Sequence, residues 1–435
     1  MRFLTTFAAC LCLGAFHVQA KSTAGDRVVV FVPKLDAASE YSQFLDSLGT
    51  RGFDVSVRAA SNTSVALEFE GDRLYDHAII LSPSSKKFGS GISVSDFLSF
   101  VDSGGNLIVA ASHELSDIHR KLALQFGVTF EKRGSRVVDH TSHLAATVNQ
   151  SDHSVVAAKQ FAQVDAVLSK KVVGGKPVLF KGIAHAYDAA NPLLVPLLTG
   201  ARTTYSATPN AARSDVVLTG KSIGLVSAFQ TRSNARVVFS GSVDLFSNRL
   251  LSQKVAGNTQ FVKEISQWAF QEKSVLRSTA HRHHFAATGE TPEHYRVNNE
   301  IVYEVDLSAY YDDAWHPYVA SDVQFEAIML DPYIRATLNR TESKAAHATY
   351  HGDIKLPDRY GTFTFRVNYK RTGYSNVVVQ DTVGIWPLRH DEYPRFLSAA
   401  YPYYVGSLTM VLGFLALSAA WLWNTEPKKA KAKTN

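Results

Sequence analysis

Apolar runs alternate with amphipathic segments through the first half of the chain. Val28–Val32 is continuously apolar, as in a strand that is buried on both faces. Val94–Asp102 has helical periodicity, with Ser93 placed to cap it. By the same criteria we predict further strands and helices, the strands at Phe53–Val57, Ala78–Leu81, Asn106–Ala111, Ile223–Phe229 and Arg236–Ser240 and the helices at Ala38–Leu48, Glu114–Gln125 and Thr259–Lys273. This alternation predicts an α/β domain with a parallel sheet over residues 21–277.

The pattern changes near Ser278, beyond which strand-like runs follow one another without helices between them. Thr362–Tyr369 alternates polar and apolar side chains, which is typical of a half-buried antiparallel strand. Other strands of this kind are predicted at Ile301–Leu307, Val323–Met329 and Asn376–Ile385. We therefore predict a β-sandwich domain at residues 290–388, joined to the first domain by a polar linker at 278–289.

The most apolar segment lies near the end of the chain, where no charged side chain occurs from Phe396 to Thr425. At about 1.5 Å per residue, positions 403–423 are long enough to cross a hydrocarbon layer of about 30 Å. Aromatic residues stand at both ends of this stretch, as at two lipid–water interfaces. We predict one transmembrane helix at 403–423, with a juxtamembrane segment at 389–402 before it and a tail at 424–435 after it.

Small residues recur every seven positions along this helix, at Ala399, Gly406, Gly413 and Ala420. Positions seven apart lie on one helical stripe, and small side chains let a second helix approach closely. The stripe predicts a helix-packing face. Because the span carries no charged group, a transport or proton path is not expected.

Both ends of the chain carry targeting signatures. Residues 1–20 combine one charge, an apolar run and a small-residue ending, which predicts a cleavable secretory signal peptide. The tail holds an excess of lysine, which favours a single-pass type I topology with a lumenal N-terminus and a cytosolic C-terminus. Lys431 and Lys433 resemble a dilysine retrieval signal, which predicts the endoplasmic reticulum membrane; an ordinary basic flank is the alternative.

Charge and cysteine content narrow the classes of function. The formal net charge is +6, and because much of this excess lies in the tail, we expect no nucleic-acid partner. The two cysteines, Cys10 and Cys12, both lie in the predicted signal peptide. The mature chain would then have no disulfide, thiol nucleophile or cysteine-ligated metal. Three sequons predict candidate glycosylation sites in a lumenal body, at Asn62, Asn149 and Asn339.

Motifs for catalysis or cofactor binding are weak in this sequence. The histidine group at 281–284 is predicted to be a polar linker rather than a metal site, since zinc ligands are usually better separated. Carboxylate pairs at 312–313 and 391–392 suit surface turns by default, although a glycosidase also needs two carboxylates at a set distance. Because 391–395 lies just before the predicted span, we predict that it docks neighbouring membrane subunits or headgroups. No phosphate-binding loop or Gly-x-Ser-x-Gly nucleophile elbow is present. We predict no catalytic, cofactor-binding or metal-binding residues and no cofactor.

Several blocks of the chain resemble the family of the 48-kDa subunit of the endoplasmic reticulum oligosaccharyltransferase complex. They cover much of the sequence, and the last of them is the most specific: Tyr75–Ser84, Phe100–Ser112, Ala235–Ser247, Tyr295–Leu338, Tyr360–Tyr374 and His390–Tyr404. The resemblance implies an amidotransferase-like fold for the first domain. The thiol nucleophile of such enzymes would be absent from the mature chain.

The resemblance also implies a non-catalytic structural subunit that supports assembly and efficient N-glycosylation at Asn-x-Ser/Thr. Its implied partners are the catalytic oligosaccharyltransferase subunit, ribophorin I, a ribophorin II-like subunit and the defender-against-death subunit. The residues themselves leave two alternatives open. One is a lumenal glycosidase, which needs a carboxylate pair in a deep pocket, and the other is a glycan-binding cargo receptor, which needs a concave aromatic site.

Overall fold

The computed structural model describes residues 22–62, 65–89, 91–143, 153–208, 218–393 and 395–424. These residues form a first domain of mixed sheet and helices, a second domain of strands, and a single long C-terminal helix.

The first domain contains sixteen described strands and six described α-helices. The strands are β1 (Arg27–Val32), β2 (Asp54–Ala59), β3 (Glu68–Phe69), β4 (Asp72–Arg73), β5 (His77–Ile80), β6 (Asn106–Ala110), β7 (Val128–Phe130), β8 (Arg136–Val138), β9 (Val156–Ala158), β10 (Gln160–Phe161), β11 (Val178–Phe180), β12 (His185–Tyr187), β13 (Leu194–Thr199), β14 (Tyr205–Ala207), β15 (Gly224–Gln230) and β16 (Arg236–Ser240). The helices are α1 (Ser42–Thr50), α2 (Val94–Asp102), α3 (Asp117–Gln125), α4 (Lys170–Val173), α5 (Asn248–Leu251) and α6 (Asn258–Ala269). A 3-10 turn at Leu35–Tyr41 occupies the start of the first predicted helix.

The main sheet of this domain is mixed, so the prediction of a parallel sheet holds for only part of it. Strands β2, β1, β5, β6 and β16 pair in parallel. Strands β15, β13 and β10 then extend the sheet with antiparallel pairing. The change of direction occurs between β15 and β16, which are separated only by residues 231–235. A connection this short makes a hairpin, whereas a parallel crossover needs a dozen residues or more.

Helices cover both faces of the sheet and produce two hydrophobic cores. Phe44 of α1 and Ile265 of α6 pack into the core on one face. Phe97 of α2 and Leu122 of α3 pack into the core on the other. Because both faces are covered, the interior strand β1 is buried from Val28 to Val32, as its apolar sequence predicts. The predicted cap of α2 is confirmed as a capping box between Ser93 and Asp96.

The second domain consists of two sheets that enclose one core. Its strands are β17 (Val275–Phe285), β18 (His294–Arg296), β19 (Glu300–Tyr311), β20 (Ala314–Pro317), β21 (Gln324–Met329), β22 (Asp331–Thr337), β23 (Asn339–Ser343), β24 (Ala348–Lys355), β25 (Gly361–Tyr369) and β26 (Val377–Trp386). One sheet has the order β17-β19-β24-β23 with β20 on β19, and the other has the order β18-β26-β25-β21-β22. The core combines side chains from both sheets, including Tyr303 and Phe365.

The prediction of a linker at 278–289 is wrong. Residues Val275–Phe285 form the edge strand β17, which pairs along its length with β19. The sequence looks like a linker because most side chains between Arg277 and His284 are exposed or half-buried. An edge strand satisfies its backbone on one side and still presents polar side chains to water. The second domain therefore begins at Val275.

The long helix α7 (Tyr401–Trp423) follows a short 3-10 turn at Ser398–Ala400. Together these residues form one stretch, Ser398–Trp423, with a mean hydropathy of 1.9 in its most apolar window and no burial against the rest of the protein. This is the described segment that is long and apolar enough to cross a membrane. An apolar helix left uncovered by its own chain needs an apolar surrounding.

Strand direction gives the second domain two distinct ends. At the near end, β17 leaves the first domain, β19 stops at Tyr311 and β26 starts at Val377. At the far end, β26 stops at Trp386, beside the start of β25 at Gly361. The first domain thus sits at one end of the second domain, and the chain leaves for α7 from the other.

Candidate functional site: two joints along the chain

The first candidate site is the contact between the two domains, here called the domain joint and formed by residues 268–276 and 370–376. The Trp268 side chain, which is almost completely buried, donates from Nε1 to the carbonyl oxygen of Gly373 at 2.8 Å. Gly373 has a φ of +84°, and a Cβ there would lie 2.8 Å from Cβ of Ala166. Only glycine suits this left-handed turn so close to the first domain.

Further hydrogen bonds join the same turn to the end of the first sheet. Gln230 Nε2 donates to the carbonyl of Tyr374 at 2.7 Å. The amide of Asn376 donates to Asn234 Oδ1 at 2.6 Å. Ser375 Oγ accepts from the amide of Leu276 at 2.7 Å and so ties the turn to the first residues of β17. These bonds pair backbone groups that no strand ladder satisfies.

Arg236, the first residue of β16, stabilises the domain joint from within the first domain. Its side chain is fully buried and donates to three carbonyl oxygens, those of Trp268, Lys273 and Ser274, each at 2.8 Å. The guanidinium also lies 4.9 Å from the centroid of the Trp268 ring. Burial lowers the pKa of Arg236 to about 9, so the group stays charged at neutral pH. A cation at the end of α6 is favoured by the helix dipole.

A second row of polar groups orients Arg236 and the end of α6. Asn106 Oδ1 accepts from the amide of Arg236 at 2.9 Å, and Asn106 Nδ2 lies 3.1 Å from Nδ1 of His77. His77 Nε2 lies 3.0 Å from the carbonyl of Gly25, which can only accept, so Nε2 carries the proton and Nδ1 accepts. The ring stacks on Phe270 with centroids 4.5 Å apart. Burial lowers the pKa of His77 to about 4, so it is neutral at physiological pH.

Two buried ion pairs complete the domain joint. Arg51 Nη1 lies 2.7 Å from Glu272 Oε1, and Lys273 Nζ lies 3.6 Å from Glu264 Oε2. Both pairs link residues 272–273 to helices that pack on the first sheet. The segment that leads into β17 is thereby fixed by charges as well as by carbonyl contacts.

A cavity of about 230 Å³ lies beside the domain joint. Its floor is largely apolar, with Leu193, Val195 and Trp268, while Arg232 and Lys370 contribute positive charge to its rim. The described residues that line it include no carboxylate, histidine or cysteine. The cavity therefore lacks the paired carboxylates that the glycosidase alternative requires.

The second candidate site connects the second domain to the segment before α7, and we call it the helix-side joint. Arg296 Nη1 donates to the carbonyl of Pro387 at 3.1 Å, and Arg296 Nε lies 3.4 Å from Glu392 Oε2. Trp386 stacks on His294 with ring centroids 4.0 Å apart. Glu392, which the sequence predicts to dock neighbouring subunits or headgroups, thus contacts the chain's own second domain.

The predicted glycosylation sites differ in their surroundings. Asn339 is exposed on β23 at the edge of a sheet, where its side chain is accessible. Asn62 is partly buried in a turn after β2, and its amide donates to the carbonyl of Ala59 at 2.9 Å. Asn149 lies outside the described residues, as do the retrieval-signal residues Lys431 and Lys433.

The small-residue stripe lies on the exposed surface of the C-terminal helix. Gly406 and Gly413 face open space, because a Cβ built on either would meet no atom within 4 Å. Ala420 lies in the same helix, and Ala399 lies in the 3-10 turn before it. The stripe is therefore uncovered by this chain, and its role as a packing face stays a prediction.

The histidines at 281–284 lie in β17 and make ordinary strand contacts. His281 Nε2 and His283 Nε2 lie 2.9 Å and 3.9 Å from Asp381 Oδ2. No group of three or more His, Cys, Asp or Glu side chains in the described residues is arranged to hold a metal ion. Asp312 and Asp313, with φ of 48° and 62°, form the left-handed turn between β19 and β20.

Sequence reasoning does not identify either arginine joint. One signal of the domain joint is present in the sequence, since Arg236 opens an otherwise apolar run that reads RVVFS. An arginine at the start of a fully buried strand has to find internal acceptors. Nothing local indicates that those acceptors are carbonyl groups 32 to 38 positions later.

The fold and the two joints define a two-domain protein, with one candidate membrane-spanning helix among the residues that the structure describes. The chain belongs to the OST48 family: residues 19–272 match the OST48 N-terminal domain, and residues 282–425 match the OST48 middle domain. The two matched regions meet close to the domain joint.

Curated relatives extend over almost the whole chain. The Arabidopsis thaliana protein named dolichyl-diphosphooligosaccharide–protein glycosyltransferase 48 kDa subunit is 38% identical over 411 residues, covering 92% of this chain and 93% of the relative. The Caenorhabditis elegans protein of the same name is 34% identical over 426 residues and covers 94% of each chain. The predicted family is thus confirmed.

The comparison with solved structures shows only a weak similarity. A putative ThuA-like protein from Parabacteroides merdae aligns with 56% of this chain, at 12% sequence identity and a TM-score of 0.28. The alignment covers 89% of that protein. A score this low carries no argument about fold. The amidotransferase-like prediction for the first domain is not confirmed.

Replacing Arg236 with Met should destabilise the protein by about 3–5 kcal/mol, because three buried carbonyl groups lose their donor. The thermal unfolding midpoint of the purified full chain in detergent measures this effect. Arg335→Met is the matched control, since Arg335 is exposed and its partner Glu326 keeps a second arginine, Arg366, in the variant. Equal midpoints for the two variants would contradict the role assigned to Arg236.

Acid should weaken the domain joint through His77. Because burial lowers the folded pKa of His77 to about 4, below its usual value of 6.5, protonation favours the unfolded chain. Stability is then retained above about pH 6.5 and lost as the pH falls toward 4. His77→Gln, which keeps a donor toward Gly25, should reduce that slope by up to about 1.4 kcal/mol per pH unit. Identical pH profiles of unfolding midpoint would contradict this assignment.

Proposed function

We propose that this chain is the 48 kDa-type subunit of a dolichyl-diphosphooligosaccharide–protein glycosyltransferase complex. The observation that carries the proposal is 38% identity to a relative of that name over 92% of this chain. Such a complex transfers an oligosaccharide from dolichyl diphosphate to asparagine in Asn-x-Ser/Thr. This chain contributes as a structural subunit, needed for assembly and efficient glycosylation.

The proposed role is supportive rather than catalytic. The polar groups that are most deeply buried in the domain joint are engaged in holding the chain together: Arg236 with carbonyls, Arg51 with Glu272. The cavity beside the joint has no acid–base pair among its described lining residues. These buried charges stabilise the structure, and a structural role explains them better than a hydrolytic one.

In the proposed arrangement the two domains are lumenal and α7 spans the endoplasmic reticulum membrane, with the tail in the cytosol. The order of the parts supports this layout, since the first domain and α7 lie at opposite ends of the second domain. Lys431 and Lys433 would act as the retrieval signal, and Asn339 is the best exposed candidate for a glycan. The proposed partners are the catalytic subunit, ribophorin I, a ribophorin II-like subunit and the defender-against-death subunit.

Purification of the tagged full chain from membranes in mild detergent tests this proposal. We expect stoichiometric recovery of the catalytic subunit and ribophorin I by mass spectrometry, with transfer activity toward an Asn-x-Thr peptide in the eluate. Recovery of the chain alone, or with secretory cargo and without transfer activity, would contradict it. Glycosidase activity of the isolated chain would favour the enzyme alternative.

The proposed packing face of α7 is testable by adding bulk. Gly406→Leu with Gly413→Leu should reduce recovery of the other subunits about tenfold, because the stripe could no longer contact a partner helix closely. The unfolding midpoint of the lumenal domains should not change. Leu408→Phe with Leu415→Phe adds bulk to the opposite side of the helix and serves as the control. Equal recovery with both double variants would rule out this packing face.

A further inference from the structure

The far end of the second domain presents large apolar side chains to solvent. Leu330 is 100% exposed, Tyr360 is 68% exposed and Trp386 is 51% exposed. The strand registers bring them to one end: Gly361, next to Tyr360, pairs with Ile385, next to Trp386. The turn that holds Leu330 lies beside the same end, because a Cβ at Gly361 would meet Met329 Sδ at 2.8 Å.

Leu330 is unusual in two ways that water alone does not explain. It forms the tip of the hairpin between β21 and β22, where Met329 pairs with Asp331. Its φ of 67° lies in the left-handed region, which asparagine or glycine adopts far more readily than leucine. Its side chain touches nothing that would shield it from solvent. Leucine is unfavourable both in this turn and in contact with water. Its side chain is stabilised here only when an apolar surrounding covers it.

The far end is also held close to the start of the long apolar helix. Arg296 ties Glu392 to this end through a contact of 3.4 Å. The ring of Phe396, four residues later, packs against Tyr404 in the first turn of α7 at 6.0 Å. Four residues span at most about 14 Å, so Phe396 lies within that distance of Glu392 along the chain. The start of α7 is therefore close to the far end.

We propose that the far end rests in the interfacial layer of the bilayer that α7 spans, with the Leu330 tip inserted among the acyl chains. Tyr360 and Trp386 lie in the headgroup region, which their amphipathic rings prefer. This inference rests on the proposed transmembrane role of α7. The surrounding charges are of both signs, including Asp331, Arg359 and Glu392, so the fitting partner is a zwitterionic phospholipid surface rather than a strongly anionic one.

The consequence is a fixed height for the lumenal body. With α7 and the hairpin tip both in lipid, the second domain has two points of attachment to the membrane. The helix-side joint connects these points through Arg296. The first domain is then held at a set distance above the bilayer by the length of the second domain.

Fluorescence quenching by lipid tests this proposal with the full chain. Cys10 and Cys12 are replaced by Ala, and one cysteine is introduced as Leu330→Cys and labelled with an environment-sensitive fluorophore. The protein is reconstituted in phosphatidylcholine nanodiscs with or without acyl-chain spin-labelled lipid. Val319→Cys is the matched control, because Val319 is 61% exposed and adjoins Tyr318, whose ring packs against Tyr374 at the near end.

We expect quenching of the label at position 330 to exceed that at position 319 by about twofold or more. Leu330→Asn, which suits the left-handed turn but removes the apolar tip, should lower quenching of a label at Tyr360→Cys without lowering the unfolding midpoint. Equal quenching at positions 330 and 319 would overturn the proposal. A shielded label at 330 that lipid does not quench would also overturn it, since a protein surface would then be its partner.

A third label separates this inference from the proposed span. Phe414→Cys places the fluorophore near the middle of α7. Strong quenching there together with weak quenching at 330 overturns only the interfacial contact of the far end. Weak quenching at both positions overturns the membrane span and the inference together.

Discussion

The buried guanidinium of Arg236 is the interaction on which the rest of the molecule depends. It stands at the start of a strand in the first sheet, yet its acceptors are the carbonyls at the end of α6 and at the entrance to β17. A buried charge is costly unless it is hydrogen-bonded, so the bonds from the Nη atoms of Arg236 favour this one path of residues 268–274. In this conformation Trp268 donates to the carbonyl of Gly373, and this contact joins the second domain to the first. Arg236 thus couples the fold of the first domain to the domain arrangement, together with the hydrogen bonds that Gln230 and Asn234 make to the second domain.

The helix-side joint also depends on an arginine that donates to a backbone carbonyl, although to one carbonyl rather than three. Arg296 bonds the carbonyl of Pro387 and faces Glu392, so the chain leaves the second domain in a defined direction before α7 begins. With both joints closed, the first domain, the second domain and the segment that precedes α7 form a continuous series of fixed contacts. Without a cysteine after position 12, these joints are held by arginine side chains, hydrogen bonds and packing rather than by disulfides. For a subunit of a multi-chain complex, a defined geometry is a useful property.

Local patterns in the sequence predicted most elements of the fold, because strand and helix periodicity depends on neighbouring residues. Val94–Asp102 with its Ser93 cap and the alternating strand β25 are examples. The antiparallel half of the first sheet was not predicted, since strand order depends on contacts between distant segments. The sequence of strand β17 is typical of a linker because an edge strand needs few apolar side chains. The joints were missed for a related reason: the acceptors of Arg236 are backbone carbonyls, which every sequence contains and no motif marks.

The most direct test of this account is the distance between the two domains in the intact protein. Spin labels at Val255→Cys and Leu330→Cys, in the chain without Cys10 and Cys12, report that distance by pulsed electron paramagnetic resonance in nanodiscs. Both positions are exposed, and they lie on opposite sides of the domain joint. A fixed joint predicts one narrow distance distribution that broadens when Arg236 is replaced by Met. A broad distribution, or two separate distances, in the chain with Arg236 intact would contradict the claim that this residue fixes the two domains relative to each other.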